Sequence, residues 1–145
     1  MRIAIGSDHG GYELKEHIKS YLSSKDIDYI DYGTHSTASV DYPDYAKKVG
    51  EAVTKDQFDF GILICGTGIG ISIAANKIKG VRAALVYDEN TARLAKAHNH
   101  ANIIALGGRT TPFDKAISIL ESFMNEQEEE RHMNRINKIK EIEEK

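Results

Sequence analysis

The feature that most constrains this chain is an alternation repeated along its first two-thirds, in which a short β-branched run is followed by an amphipathic stretch with helical spacing. The runs are Arg2 to Ser7, Asp28 to Tyr32, Gly61 to Cys65, Arg82 to Tyr87 and Ile103 to Leu106. Several of them are continuously apolar rather than alternating, as strands covered on both faces are. Between them, Leu14, Ile18, Tyr21 and Leu22 share one helical face, as do Ala46, Val49 and Val53, then the stretch from Ile69 to Ile78, then Thr91, Leu94 and Ala95. Pro43 suits the first turn of the second helix and Gly80 the end of the third. A fifth helix is expected after Pro112, with Phe113, Ile117, Leu120 and Met124 as its apolar stripe. Strand-helix alternation with right-handed crossovers predicts a three-layer α/β/α sandwich around a five-stranded parallel sheet, Rossmann-like, with strand order 2-1-3-4-5.

With 145 residues, one domain over 1–145 is expected. A hydrophobic fraction of 41%, a charged fraction of 28% and only two prolines exclude disordered and collagen-like chains. No apolar run approaches the roughly 20 residues that cross a bilayer, and the opening Met1 to Asp8 turns polar too soon for a secretory signal, so a cytoplasmic location is expected. The single cysteine, Cys65, has no internal partner for a disulfide, which suits a reducing compartment. A formal net charge of -3 supplies no global field for nucleic acid or an anionic membrane, so neither is an expected partner. An anionic ligand would need a local site. The charged tail 126–145, with Glu128 to Glu130, Arg131 to Arg135 and sparse Ile136 and Ile139, reads either as a solvated helix or as a narrow apolar stripe that docks on another subunit.

In an open parallel sheet, ligands bind beyond the carboxyl ends of the strands. The loop after the third run is Cys65-Gly66-Thr67-Gly68-Ile69-Gly70, whose alternate glycines can turn backbone N–H groups toward one point ahead of a helix. A dinucleotide fingerprint would need glycine where Ile71 stands, and no Gly-Lys-Ser/Thr follows. The bland reading is a tight turn with an inert buried thiol. The sharper one is a reactive Cys65, because a helix N-terminus and convergent N–H groups favour a thiolate, although apolar burial opposes it. Asp8 is either a helix cap or a site carboxylate, and Arg109 either a solvated loop residue or a handle for a charged substrate. His17 and His35 read as surface or satisfied imidazoles, and His100 takes no assignment. His9 and His98 are expected to reach one cleft from separate segments and exchange protons there. The dispersed histidines and one cysteine show no metal-ligand spacing, and no cofactor is implied. A thiol, a carboxylate, imidazoles, a backbone anion nest and an arginine suit proton abstraction beside a carbonyl. A non-catalytic phosphosugar-binding domain would share the nest and arginines but not need Cys65 or His98. A nucleotide-cofactor enzyme ranks last, with Asp88 as its only ribose-binding acid.

Ser7-Asp8-His9-Gly10-Gly11-Tyr12, Asp41-Tyr42-Pro43-Asp44-Tyr45-Ala46, the run Gly61 to Lys77 and Arg131-His132-x-x-Arg135 resemble the type B ribose-5-phosphate isomerase family. Galactose-6-phosphate and allose-6-phosphate isomerases are its relatives. The resemblance implies a homodimer or tetramer, without cofactor, that interconverts D-ribose 5-phosphate and D-ribulose 5-phosphate in the pentose phosphate pathway. It implies that Cys65 moves a proton between C2 and C1 with Thr67 as helper, and that N–H groups of Gly66, Thr67, Gly68, Ile69 and Gly70 hold the enediolate. His98, assisted by Asp8, would open the furanose ring, with Asn99 near the sugar and Tyr42 lining the pocket. His9, Arg109, Arg131 and Arg135 would bind phosphate, some from a partner subunit, the tail crossing to reach it. A branch of the family lacks the cysteine and has glutamate at the position of Ile71, so Cys65 places this chain in the thiol branch.

Overall fold

Five parallel strands form one sheet in the computed structural model, which describes residues 1–145. In chain order the elements are β1 (Arg2–Ser7), α1 (Tyr12–Ser24), β2 (Asp28–Asp31), α2 (Tyr42–Lys55), β3 (Phe60–Cys65), α3 (Ile69–Ala75), β4 (Ala83–Leu85), α4 (Glu89–Ala97), β5 (Ile103–Gly107), α5 (Phe113–Met124), a 3-10 turn (Glu130–His132) and α6 (Met133–Glu143). The period-two alternation of the buried strands sorts their side chains into two cores. Ile3, Ile5, Phe60, Ile62, Ile64, Ile104 and Leu106 pack under α1, α4 and α5. Ala4, Leu63, Cys65, Ile103 and Ala105 pack under α2 and α3. Helices on both faces explain why the strand sequences are continuously apolar.

The α/β/α architecture is the expected one, but the sheet order is 2-1-3-5-4 rather than 2-1-3-4-5. The reason lies in the two strands themselves. All five residues of β5 are buried, so β5 can pair on both edges and lies between β3 and β4. The run from Arg82 to Tyr87 yields a strand of only three residues, and its Leu85 keeps 38% of its surface, which fits an edge.

At the end of β2, Asp31 accepts hydrogen bonds from the fully buried Lys15 at 2.5 Å and from Lys19 at 2.8 Å, and from the Gly33 N–H at 2.8 Å. Burial opposes its charge, yet the two ammonium groups and the backbone donor outweigh it and hold the Asp31 carboxyl below its ordinary value. Asp88 caps α4: its carboxylate accepts the Thr91 N–H at 2.7 Å, and the Asp88 N–H donates to the Thr91 hydroxyl at 3.2 Å. This reciprocal cap accounts for Asp88 without a ribose.

The tail 126–145 lies along its own domain rather than projecting as an arm. Glu129 N–H donates to the Ala97 carbonyl at 2.9 Å, Ile136 is buried, and Glu143 accepts the Gly80 N–H at 2.7 Å. A fully solvated helix does not fit this packing, although Ile139 keeps 44% of its surface and Ile142 73%, so only Ile136 of the stripe is used within the chain.

Candidate active site

Cys65 closes β3 and stands opposite Gly107 at the end of β5. Strand alternation aims it into the α2/α3 layer, where it keeps 5% of its surface. Gly68 has φ +81°, a conformation that turns its N–H back onto Cys65 Sγ at 3.2 Å. A Cβ at Gly68 would lie 2.6 Å from Leu85 Cδ1 and 2.9 Å from the Leu106 carbonyl carbon, so both the backbone angle and the close approach require glycine. Thr67 is exposed above this turn, and its hydroxyl accepts the Ile69 N–H at 3.2 Å.

Three further loops are joined to this one. Gly108 N–H donates to the Cys65 carbonyl at 2.8 Å and Arg109 N–H to the Gly66 carbonyl at 2.9 Å, so the Arg109 side chain runs beside Gly66. Asp8 N–H donates to the Ile64 carbonyl at 3.2 Å, its Oδ1 accepts the Gly11 N–H at 3.1 Å, and a Cβ at Gly10 would lie 3.0 Å from the Gly66 nitrogen. His9 Nδ1 accepts the Val40 N–H at 3.2 Å, which places the ring proton of the neutral form on Nε2. The Tyr42 ring covers Gly70 closely enough that a Cβ there would be 2.6 Å from Cζ. Asp8, His9, Tyr42, Cys65, the loop from Gly66 through Thr67, Gly68 and Ile69 to Gly70, and Arg109 therefore share one crevice. Its donors and arginine can hold an anion against a thiol.

His98, Asn99, Arg131 and Arg135 lie elsewhere, and the expectation that His9 and His98 meet in one cleft of the chain is wrong. Helices in this fold run antiparallel to the strands, so α4 ends where the strands begin. His98 caps that end, and nearby Asn102 accepts the Gly61 N–H through its carbonyl at 2.8 Å, four residues before Cys65. Strand rise alone separates the two ends by about 13 Å. At this second end the His98 and His132 rings lie 4.4 Å apart between centroids, and Arg131 Nη2 is 3.5 Å from His98 Nε2. Asn99 opens instead onto a groove of about 630 Å³ shared with Arg82, Ile139 and Ile142. Arg135 is exposed, one helical turn beyond Arg131.

Residues 3–139 match the family model described as Ribose/Galactose Isomerase. The chain belongs to that family. It is 42% identical to ribose-5-phosphate isomerase B of Escherichia coli over 145 residues, covering 99% of this chain and 97% of the relative. Among solved structures, ribose-5-phosphate isomerase B of Clostridium thermocellum superposes with a TM-score of 0.97 at 50% identity, over 99% of this chain and 98% of that one. The enzyme of Mycoplasma genitalium, solved with bound ribulose-5-phosphate, gives a TM-score of 0.93 at 42% identity, over 99% and 97% of the two chains.

Sequence reasoning missed the residues that build the second end. His100 has φ +48° and is buried, with Nε2 3.0 Å from the Glu129 carbonyl and Nδ1 3.2 Å from Glu128 Oε2, so it fastens the tail. His132 is buried as well, and burial, with Arg131 and His98 beside it, holds its imidazole below the ordinary value and so neutral at pH 7. Its Nε2 has no hydrogen-bond partner. One signal was present: Glu129 and His132 stand at i and i+3, a spacing that turns both side chains to one face of a helical turn. Of the two surface histidines, His17 packs on Phe113 with centroids 4.8 Å apart, and His35 is exposed.

Proposed function

We propose that this protein interconverts D-ribose 5-phosphate and D-ribulose 5-phosphate through a cis-enediolate, with Cys65 as the base. The observation that carries this reading is the Gly68 N–H on Cys65 Sγ, in a loop joined to those of Asp8, His9 and Arg109. The thiolate takes the C2 proton of the open aldose, and the C–H electron pair forms the C1–C2 double bond while the carbonyl oxygen becomes an enediolate oxygen. N–H groups of the Gly66 to Gly70 loop offset that charge, Thr67 stands beside the thiol, the hydroxyl proton passes from O2 to O1, and the thiol returns its proton to C1 as the C2 carbonyl forms. Positioned bases of this kind contribute about 10²- to 10⁴-fold. Tyr42 closes the pocket wall and Ile69 its rim.

The site needs a second copy of the chain. His98, which with Asp8 opens the furanose ring, and Asn99, Arg131 and Arg135 stand at the far end of the molecule from Cys65. A two-fold pair placed end to end sets the His98 end of each protomer over the Cys65 end of its partner, which creates two equivalent sites. Arg131 and Arg135 then join His9 and Arg109 around the phosphate. The exposure of both tail arginines favours this arrangement, in which the segment 126–145 forms part of the dimer contact. The names of the E. coli and C. thermocellum relatives, and the ligand of the M. genitalium enzyme, point to the pentose phosphates. A single domain with one unpaired thiol and no helix long and apolar enough to span a membrane suits an enzyme of the cytoplasm.

The test is a rate comparison of ribose, allose and galactose phosphates together with washout of C2 deuterium into water. Ribose 5-phosphate should turn over fastest, with loss of deuterium, and Cys65→Ala should lower both rates about 10²- to 10⁴-fold while the fold persists. Washout undiminished in Cys65→Ala would remove the thiol as the base. A higher rate on a six-carbon phosphate would reassign the substrate to the allose or galactose branch, and binding without washout would leave only a phosphosugar-binding domain.

A further inference from the structure

We propose that His98, Glu129 and His132 form a binding site for a divalent transition-metal ion of the zinc class, and that its occupation withdraws His98 from proton transfer. One ligand atom from each residue lies within 4.8 Å of the others. Both imidazoles face the same carboxylate oxygen: His98 Nε2 is 3.9 Å and His132 Nε2 3.6 Å from Glu129 Oε1. Ligand atoms around a tetrahedral zinc, bound at about 2.0–2.1 Å, sit roughly 3.4 Å apart, so the two histidine–carboxylate distances close by tenths of an ångström and the widest separation in the trio by up to about 1.4 Å, within reach of side-chain rotation.

An independent feature points to a missing partner. His132 is 6% exposed and its Nε2 is a buried nitrogen without a hydrogen-bond partner, directed at that carboxylate. An orphaned buried imidazole nitrogen is costly, and a metal ion satisfies it where no donor or acceptor does. Two imidazoles and a carboxylate form a donor set suited to Zn²⁺, with a fourth position left to water.

The backbone prepares the site. His100 fixes the Glu129 carbonyl, and the Glu129 N–H is tied to Ala97 at the end of α4, so His98 and Glu129 are held in register from two elements. Arg131 competes for the same oxygen, with Nε 2.8 Å from Glu129 Oε1, but its side chain is 68% exposed and free to leave. The ion therefore replaces a guanidinium that the proposed reaction assigns to phosphate. Metal binding itself is independent of the isomerase reading, whereas its effect on turnover rests on that reading.

Isothermal titration of Zn²⁺ into full-length Cys65→Ser protein, near neutral pH, separates the two. The substitution removes the competing thiol, and the proposal predicts one ion per chain. His132→Leu and Glu129→Gln should each weaken binding by at least about 10- to 100-fold. Glu129 is partly exposed, so Glu129→Gln decides the matter if His132→Leu fails to fold. In the protein with Cys65 intact, Zn²⁺ should slow isomerisation, a chelator should restore it, and Glu129→Gln enzyme should resist it. No binding by Cys65→Ser, or binding undiminished in a folded ligand variant, overturns the site. Turnover unaffected at saturation overturns its role on His98, and absence of turnover without metal overturns the isomerase reading alone.

Discussion

The two ends of the sheet are built in different ways. At the end that carries Cys65, the chemistry sits in contiguous loops, and glycines bring the backbone close enough for N–H groups to act as ligands. At the end that carries His98, single residues from α4 and the tail are held together by His100, by the Ala97 carbonyl and by ring stacking. The first end is a motif and the second is an assembly. Neither holds a full acid-base set, and a reaction that needs both must join copies of the chain.

The comparison predicts different responses to substitution. Cys65→Ala should lower kcat/KM about 10²- to 10⁴-fold with little change in Tm, because the site removed is chemical rather than structural. A large stability loss in that variant would break the distinction. Asp31→Asn, also at the Cys65 end, leaves the buried Lys15 with only Glu16 at 3.2 Å, and should cost about 3 kcal/mol in denaturant unfolding. His100→Ala should cost about 1–3 kcal/mol and loosen the tail, visible as faster hydrogen exchange at Glu129 while exchange around Gly68 stays slow. Equal loosening at both ends would show that they are one cooperative unit. The smallest effect, about 1 kcal/mol, is expected for Asp88→Ala, a loss of the α4 cap with no specific loss of ligand binding.

The Asp31 cluster also carries a pH dependence with a definite sign. Its carboxyl is depressed below the ordinary 3.8 in the folded state, so the stability it contributes is present above that value and is lost as pH falls below it. Acid unfolding of Asp31→Asn should therefore show a shallower slope below about pH 4 than the parent protein. An identical slope would mean that Asp31 does not govern the acid limb.

Much of this was legible in the chain. The continuous apolar runs revealed a parallel sheet covered on both faces, and Gly66, Gly68 and Gly70 marked the tight turn that follows Cys65. The order of β4 and β5 was not legible from alternation alone, because topology depends on which strand is buried on both edges. His98 was misplaced for a related reason: residue type suggested a cleft partner for Cys65, whereas helix direction in a parallel fold sends the end of α4 away from it. His100 and His132 acquire their roles only through contacts with the segment 126–145, which has no strong local pattern to announce where it docks.

The most direct measurement of whether the thiol and the imidazole work across two copies is complementation between Cys65→Ala and His98→Ala proteins. Each alone should be nearly inactive. After subunit exchange in equal amounts, mixed dimers carry one site with both defects and one intact, so activity should return to about a quarter of the parent level. Persistent inactivity of the mixture, with exchange verified by mass, would contradict a site shared between protomers.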